Sequence, residues 1–224
     1  RLPRALAALA TGSLLALAGT LMQVLLRNPL ADPYVLGVSG GAAAFSLAGM
    51  LLALAILPIE LLAFAGALVS SVIVFVLGQG SGPWSTARML LTGVVVAAGW
   101  GALISRMLAL GDDQSLRGML FWLMGDLSYA RISGWWLPGV AAITVLLMLR
   151  ARSLNILAAG ETQAALLGED PRRRYTEIYV VASALTALAV SIAGTVGFVG
   201  LIVPHLMRLV VGADHRRLLP AAAL

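Results

Sequence analysis

One serine in this sequence lies among residues that a hydrolase could use. The segment 37–41, GVSGG, satisfies G-x-S-x-G, the turn that exposes a nucleophilic serine. Its first four residues also fit the G-x-S-G of intramembrane serine proteases. A serine nucleophile needs a base within hydrogen-bond reach, and the sequence offers two histidines, His205 and His215. A Ser39–His205 dyad is therefore one hypothesis, and the alternatives are that the glycines allow close helix packing or line a polar pathway with Ser39.

The surroundings of the two histidines weigh against catalysis and metal binding. The stretch VPHLMR places bulky side chains and a charge around His205, where a dyad would need small residues. A lone histidine at a helix end is also more often a hydrogen-bonded structural residue than a ligand. We expect His215, among the charges of GADHRR, to be a solvated loop residue. The acidic residues fall in predicted loops and at helix ends, so no buried carboxylate pair indicates a proton-coupled carrier.

The composition is that of a polytopic membrane protein. Of the 224 residues, 60% are hydrophobic and 11% are charged, against about 25% charged in a typical soluble protein, and the mean hydropathy is +0.97. Cysteine is absent, and all 15 basic residues are arginines. Without a P-loop lysine for nucleotide phosphates, ATP chemistry requires another chain. The sequence begins at Arg1 and ends inside an apolar run, so we expect a piece of a longer protein.

Apolar stretches of about 20 residues, the length that crosses a membrane, recur along the chain. They lie at 5–26, 33–59, 61–87, 89–105 and 132–149, and the fourth is expected to continue past Arg106. A longer charge-free run covers 178–207. Its interruptions predict one helix to about 193 and a short, broken one to about 211. The interrupting residues are Gly194, Gly197, Gly200 and Pro204.

Two further segments are too short to cross a membrane. Residues 115–127, SLRGMLFWLMGDL, are expected at the outer surface. Residues 153–170, SLNILAAGETQAALLGED, are predicted to form two short cytoplasmic helices, broken by Gly160 and ended by Gly168. The arginines set this orientation, because ten fall at the inner ends of the spans if 5–26 runs inward. Five fall outside: Arg1, Arg4, Arg106, Arg117 and Arg131.

Six segments together carry a resemblance to a known family. They are RLPR, NPLADPYVLGVSGGA, FWLMGDLS, LAAGETQAALLG, GFVGLIVPHLMRL and DHRRLLP. In this order and spacing the chain resembles the FecCD-type permeases, the membrane subunits of ABC importers for ferric siderophores, haem and cobalamin. The resemblance implies an all-α polytopic membrane protein of the ten-helix type, running here from the second helix to the start of the ninth. It implies one permease domain over 1–224, with about seven spans, short gate helices, and coupling helices at 153–170.

The resemblance also implies an inner gate. The segment NPLADPYVLGVSGG would re-enter the membrane from the inner side beside the central pathway, so that Ser39 becomes a pathway or packing residue. The turn before the fourth span would complete the constriction, and Ala87 falls there where relatives can carry a hydroxyl group. The constriction would be formed by Asn28, Leu30, Ser85 and Thr86.

Two docking surfaces follow from the same resemblance. Arg1 and Arg4, which flank Pro3 at the outer end of the first span, would meet acidic residues of a substrate-binding protein. The cytoplasmic segment would contact an ATPase. Its contact residues would be Leu157, Gly160, Glu161, Ala164, Leu167 and Gly168.

Such permeases pair as homodimers around the substrate route, with an ATP-binding cassette subunit beneath each copy. ATP and Mg²⁺ would then be bound by that subunit, and the chain itself would carry no catalytic residue, cofactor, metal site or nucleic-acid partner. We expect a multi-pass protein of the bacterial inner membrane. Ferric siderophore is the first expected cargo, before haem and cobalamin, because it is the broadest class that the family serves. The alternative is the intramembrane hydrolase using Ser39 and His205.

Overall fold

The structure, a computed structural model, describes residues 1–53, 57–80, 84–127 and 135–224. These residues form α-helices and one 3₁₀ turn, Pro33–Leu36, and no strand occurs among them. The helices are α1 (Leu2–Leu25), α2 (Val38–Leu51), α3 (Ile59–Gln79), α4 (Thr86–Leu110), α5 (Asp113–Met124), α6 (Trp136–Leu149), α7 (Ala151–Ala158), α8 (Glu161–Leu166), α9 (Pro171–Ala193), α10 (Val199–Val211) and α11 (His215–Ala223).

The all-α, polytopic architecture is confirmed. Among the described residues four helices, α1, α3, α4 and α9, are long and apolar enough to cross a membrane. Helices α6 and α7 meet the same criterion as a pair bent by 58°. Helices α2 and α10 are apolar but shorter, with 14 and 13 residues. The expected number of about seven spans therefore corresponds to five full-length candidates and two short apolar helices.

Among the described residues, the structure does not contain the single spanning helix that was expected over residues 33–59. Residues 33–59 were expected to cross as one helix, but the described part contains the 3₁₀ turn, a left-handed Gly37 with φ of +70°, and the short α2. The turn is closed by the Gly37 N–H, which donates to the Tyr34 carbonyl at 2.9 Å. Glycine allows the positive φ that redirects the chain here. The length of an apolar stretch indicates how many residues can be buried in a membrane. It does not indicate where the chain turns within that stretch.

Capping side chains set several other helix boundaries. Helix α9 begins at Pro171, earlier than the predicted run at 178, because the Asp170 carboxylate accepts the Arg172 N–H at 3.1 Å. Proline is well suited to the first helical position, where its missing N–H costs nothing. The predicted helix 61–87 ends at Gln79, before Gly80 with its φ of +57°. Parts of three predicted spans lie outside the described residues, as does Arg131.

Four predicted elements are confirmed. Helix α1 matches 5–26, and α4 continues past Arg106 to Leu110. The short segment 115–127 corresponds to the 12-residue α5, whose N-terminus is capped by Asp112, and its position at the outer surface stays a prediction. The run after 193 is broken as expected, and α10 begins at Val199. The prediction of one permease domain over 1–224 stays a prediction.

The chain divides into two compact units. The first comprises Arg1–Pro33, Arg131–Leu185 and Phe198–Leu224, and the second comprises Tyr34–Ala130 and Thr186–Gly197. In the first unit α1 is central and packs against α6, α7, α10 and α11. A Cβ on Gly19 would overlap the carbonyl group of Gly200, so α1 and α10 cross almost backbone to backbone. Small residues at such crossings allow the close van der Waals packing that holds helices together in lipid.

In the second unit α2 packs against α3 and α4. Gly41 and Gly66 face each other, and a Cβ on either would overlap the carbonyl oxygen of the other. A Cβ on Gly93 of α4 would lie 2.6 Å from the carbonyl oxygen of Val35. Gly41 and Gly66 therefore bring α2 and α3 into backbone contact. Gly93 brings α4 into contact with the 3₁₀ turn that precedes α2.

Candidate functional site

The glycines of the serine motif serve helix packing. Gly41 meets Gly66, and a Cβ on Gly40 would lie 2.9 Å from the Cβ of Trp100. The fully buried Ser70 of α3 donates a hydrogen bond to the Gly37 carbonyl at 2.8 Å, and the Trp100 indole N–H donates to the Ser70 hydroxyl at 2.9 Å. The serine that organises this turn is thus Ser70. Sequence reasoning missed Ser70 because its partner lies 33 positions away.

The hydrolase hypothesis gains no support from the structure. Ser39 is half-buried in the first turn of α2, within the second unit, whereas His205 and His215 belong to the first unit. His205 lies in α10 directly after Pro204, and its Nδ1 atom is buried. No group of three or more His, Cys, Asp or Glu side chains that could hold a metal ion occurs in the described part of the chain.

The four residues expected to form the inner constriction lie at two turns, of which the first is exposed and the second is half-buried. Arg27 has a φ of +48°, and the Asn28 side-chain oxygen accepts the Leu30 N–H at 2.9 Å. Leu30 is held exposed by this turn. Residue 27 is one of the few non-glycine residues here with a positive φ, a conformation that costs free energy and needs support from its surroundings.

The second gate turn connects α3 to α4. The Ser85 hydroxyl accepts the Arg88 N–H at 3.3 Å and so caps α4, which begins at the half-buried Thr86. The Arg88 guanidinium reaches back to the Gln79 carbonyl at 3.2 Å and closes the end of α3. Asn28 and Leu30 belong to the first unit, while Ser39, Ser85 and Thr86 belong to the second. Their convergence on one constriction stays a prediction.

Helices α7 and α8 form the segment predicted to couple to an ATPase. Leu157 and Ala164 are fully buried, so they can act only by positioning the two helices. Gly160, with a φ of +123°, connects the helices, and a Cβ placed there would meet no atom within 4 Å. Leu167 is 67% exposed, and its neighbour Leu166 is 81% exposed. Leu166 was missed because the sequence pattern alone did not tell which leucines of this segment face the core.

The end of α8 is fixed by backbone hydrogen bonds. The Gly168 N–H donates to the Ala165 carbonyl at 3.1 Å, and the Glu169 N–H donates to the Ala164 carbonyl at 3.0 Å. With a φ of +81° at Gly168, this is the Schellman arrangement that ends many helices. The Glu169 carboxylate then pairs with the Arg174 guanidinium at 2.7 Å. That hydrogen bond holds the pKa of Glu169 below its ordinary value.

A polar contact joins α7 to the start of α11. His215 was expected in a solvated loop, but it is 2% exposed, so that expectation is wrong. The Asn155 side-chain oxygen accepts the His215 N–H at 2.9 Å and lies 2.6 Å from the ring Nδ1. The Asn155 amide donates to Asp214 at 2.7 Å. Burial follows from a partner 60 positions away in the sequence, which local charge patterning does not reveal.

The predicted outer arginines lie at the first turn of α1. Arg1 and Arg4 are exposed, and Pro3 occupies the first turn as expected. The Arg1 carbonyl accepts the Ala5 N–H at 3.0 Å, which fixes the backbone of the first arginine to the helix. Both guanidinium groups are therefore carried by a defined backbone and remain open to solvent.

The second unit contains a cavity of about 410 Å³ at the end of α5. Phe121, Trp122 and Asp126 line it, together with Glu60 from the start of α3. The Asp126 N–H donates to the Ala193 carbonyl at 3.1 Å, which ties the end of α5 to the end of α9. This volume lies within the range of about 300–1,000 Å³ typical of small-molecule sites.

Comparison with known proteins places these features in a family. The profile of the FecCD transport family matches residues 1–224. The chain is similar to the cobalamin import system permease protein BtuC of Halobacterium salinarum, with 43% identity over 100% of this chain and 61% of that protein. It is 40% identical to the hemin transport system permease protein HmuU of Yersinia pestis, over 100% of this chain and 69% of that protein. The chain thus spans about two thirds of the length of these relatives.

A solved structure is similar over the whole chain. It is that of a metal-chelate type ABC transporter in an inward-facing conformation. The two structures have a TM-score of 0.89 and 30% sequence identity, and the match covers 100% of this chain and 72% of the other.

Proposed function

Because the chain belongs to the FecCD transport family, we propose that it is the greater part of the permease subunit of an ABC importer for a metal chelate. The family match over residues 1–224 carries this proposal. The fold supports it, since the helices pack into the architecture of a metal-chelate type ABC transporter. The subunit itself provides the membrane path and does no chemistry on its cargo.

The proposed cargo is a complete chelate: a ferric siderophore, haem or cobalamin. The relatives are named for cobalamin and hemin import. In each of these cargoes the metal arrives with its organic ligands already in place. The described part of the chain holds no cluster of metal-ligating side chains, and a path for a ligand-saturated metal needs none. Among the three, ferric siderophore remains our first candidate.

ATP hydrolysis on a separate ATP-binding cassette subunit would drive the transport. That subunit binds ATP and Mg²⁺ and docks on α7 and α8. The exposed side chains of Leu166 and Leu167 support this docking, because large side chains buried at the centre of an interface provide much of its binding energy. The buried Leu157 and Ala164 hold the two helices in place beneath them.

Two copies of the permease would enclose the route of the cargo. Asn28 and Leu30 from one turn, and Ser85 and Thr86 from the other, form the inner constriction, with Ser39 beside it. The exposure of Leu30 on a hydrogen-bonded turn supports a role in closing the path. Arg1 and Arg4 receive the substrate-binding protein at the outer face, and the complex lies in the inner membrane.

Uptake by the complete transporter tests the proposal. Proteoliposomes containing the full-length permease and its ATPase are loaded with ATP and offered binding protein with ferric siderophore, haem or cobalamin. We expect ATP-dependent accumulation of one of the three. Leu166→Asp should abolish uptake and co-purification of the ATPase, whereas Leu166→Met should retain both. No accumulation of any chelate by the active complex would contradict the proposal.

The same assay separates transport from hydrolysis. Ser39→Ala leaves a permease active, because a methyl group fits wherever the serine side chain fits and no proton is transferred there. An intramembrane hydrolase would lose its activity with the same change. Uptake equal to that of the unmodified protein is therefore the expected result.

A further inference from the structure

The first unit contains a cavity of about 250 Å³ at the bend between α6 and α7. Leu21 of α1, Leu147 of α6 and Val181 of α9 form an apolar wall. Arg150, Arg174 and Glu177 lie at its polar edge. The cavity is smaller than the range of about 300–1,000 Å³ typical of small-molecule sites. It is therefore better suited to a segment of a hydrocarbon chain than to a complete metal chelate.

The two arginines at the edge differ in their partners. Arg174 is paired with two carboxylates, since its Nε donates to Glu169 at 2.7 Å and its Nη1 donates to Glu177 at 2.7 Å. Arg150 is exposed, and its guanidinium forms no hydrogen bond or ion pair with any residue that the structure describes. The Arg150 charge acts electrostatically on the Glu169 carboxylate, but the edge still presents one exposed guanidinium, without a hydrogen-bond partner among the described residues, directly beside an apolar cavity.

We propose that this cavity binds an anionic phospholipid, with the phosphate at Arg150 and part of an acyl chain against Leu21, Leu147 and Val181. Basic pockets between membrane helices on the cytoplasmic side bind anionic lipid headgroups. The excess of arginine at this end of the helices matches that side. An inorganic phosphate would satisfy Arg150 but would leave the apolar wall unused. A lipid satisfies both parts of the site.

Photo-crosslinking in nanodiscs tests the site on the complete permease. The probe is phosphatidylglycerol with a photoactivatable group on one acyl chain, in a phosphatidylcholine bilayer, and peptide mapping locates the adducts. We expect adducts on the peptides of α6, α7 and α9 that line the cavity. Arg150→Gln should lower their yield about fivefold, the change expected for one arginine near an anionic surface. Arg152→Gln is the matched control and should change little, because Arg152 is exposed on α7 and does not line the cavity.

A second pair of variants tests the apolar wall. Val181→Trp fills the cavity from the surface of α9 and should remove the adduct, whereas Val180→Trp, on an exposed neighbour outside the cavity, should retain it. Both positions are exposed, so both variants are expected to fold, and gel filtration verifies this.

Several results would overturn the proposal. Equal yields in Arg150→Gln and Arg152→Gln would show a diffuse charge effect, and equal labelling by photoactivatable phosphatidylcholine would exclude headgroup recognition. Displacement of the probe by millimolar inorganic phosphate, without any effect of Val181→Trp, would show a phosphate ion site instead. Absence of adducts at this position in the complete permease would show that protein occupies the cavity.

Discussion

Arg208 of α10 donates a hydrogen bond from Nη2 to the side-chain oxygen of Gln23 in α1, across 2.9 Å. Gln23 is 4% exposed, and its amide group also contacts the Leu201 carbonyl at 3.4 Å. One glutamine thus links a charged side chain and a backbone carbonyl of α10 to α1. This polar link lies on the same helix pair that Gly19 and Gly200 bring together.

We expect Gln23→Leu to destabilise the protein by about 1–3 kcal/mol, because it leaves the partly buried Arg208 donor without its acceptor. Thermal unfolding of the full-length permease in detergent measures the change. Gln163→Leu, at an exposed position of α8, is the matched control and should have little effect. Equal melting temperatures for the two variants would show that the link contributes nothing to stability.

Gly41→Ala tests the crossing of α2 and α3. The added methyl group would overlap the Gly66 carbonyl oxygen, so the helices must separate. Overpacking of this kind typically costs about 1–3 kcal/mol. Gly99→Ala is the control, because a Cβ at that helical glycine meets no atom within 4 Å. It should be neutral or stabilising by up to about 1 kcal/mol, and a loss of stability in both variants alike would contradict the packing role of Gly41.

Two substitutions at Gly160 distinguish the effect of backbone strain from an effect on docking of the ATPase. Any side chain there is strained by the φ of +123°, yet the space around it is open. Gly160→Ala and Gly160→Trp share the strain and differ in the bulk that they present to a partner. We expect both variants to insert into the membrane, and the tryptophan variant alone to hydrolyse ATP without uptake. Normal uptake by Gly160→Trp would exclude this turn from the ATPase contact.

Cysteine cross-linking tests the inner gate. The sequence has no cysteine, so Leu30→Cys or Thr86→Cys introduces a single thiol into each copy of the described chain. If these residues line a constriction at a two-fold axis, each variant should cross-link between copies, and nucleotide should change the yield. The measurement is the dimer band on a denaturing gel with reagents of increasing length. A lack of dimer with every reagent would place both residues away from the axis.

Arg1→Glu tests docking at the outer face. An exposed ion pair contributes only about 0–1 kcal/mol, but several symmetric pairs can set the orientation and rate of association. We expect weaker binding of the substrate-binding protein, and a weaker dependence of that binding on salt. An acid-to-arginine change on the binding protein should partly restore the affinity. If affinity and salt dependence are the same as in the unmodified protein, Arg1 anchors the helix in the interface and does nothing more.

The elements that could be predicted are those whose signal is local. Apolar length predicts α1, α4 and α9, and the glycines at 160 and 168 predict where the two short helices end. These features depend on the residues that form them and on the solvent or lipid around them. The resemblance to the family depends in addition on the order and spacing of six segments along the chain, which a local sequence pattern does not contain.

The features that could not be predicted depend on distant partners. Ser70 binds the Gly37 carbonyl, and Asn155 buries His215, across separations of 33 and 60 residues. The division of α2 from the turn before it requires one left-handed glycine, and an apolar sequence is equally compatible with a straight helix. Burial of Leu157 beside the exposure of Leu166 likewise depends on how α7 and α8 pack, which periodicity over six or eight residues does not fix.

The connection between α8 and α9 is short and is held by hydrogen bonds along its length. It has four residues, 167–170, and all four form hydrogen bonds or an ion pair. Leu167, Gly168 and Glu169 donate their N–H groups to the end of α8, Glu169 also pairs with Arg174, and Asp170 caps α9. Rotation about this connection would break several of these bonds at once. A partner that tilts α8 would therefore pull on the first turn of α9, which begins at Pro171.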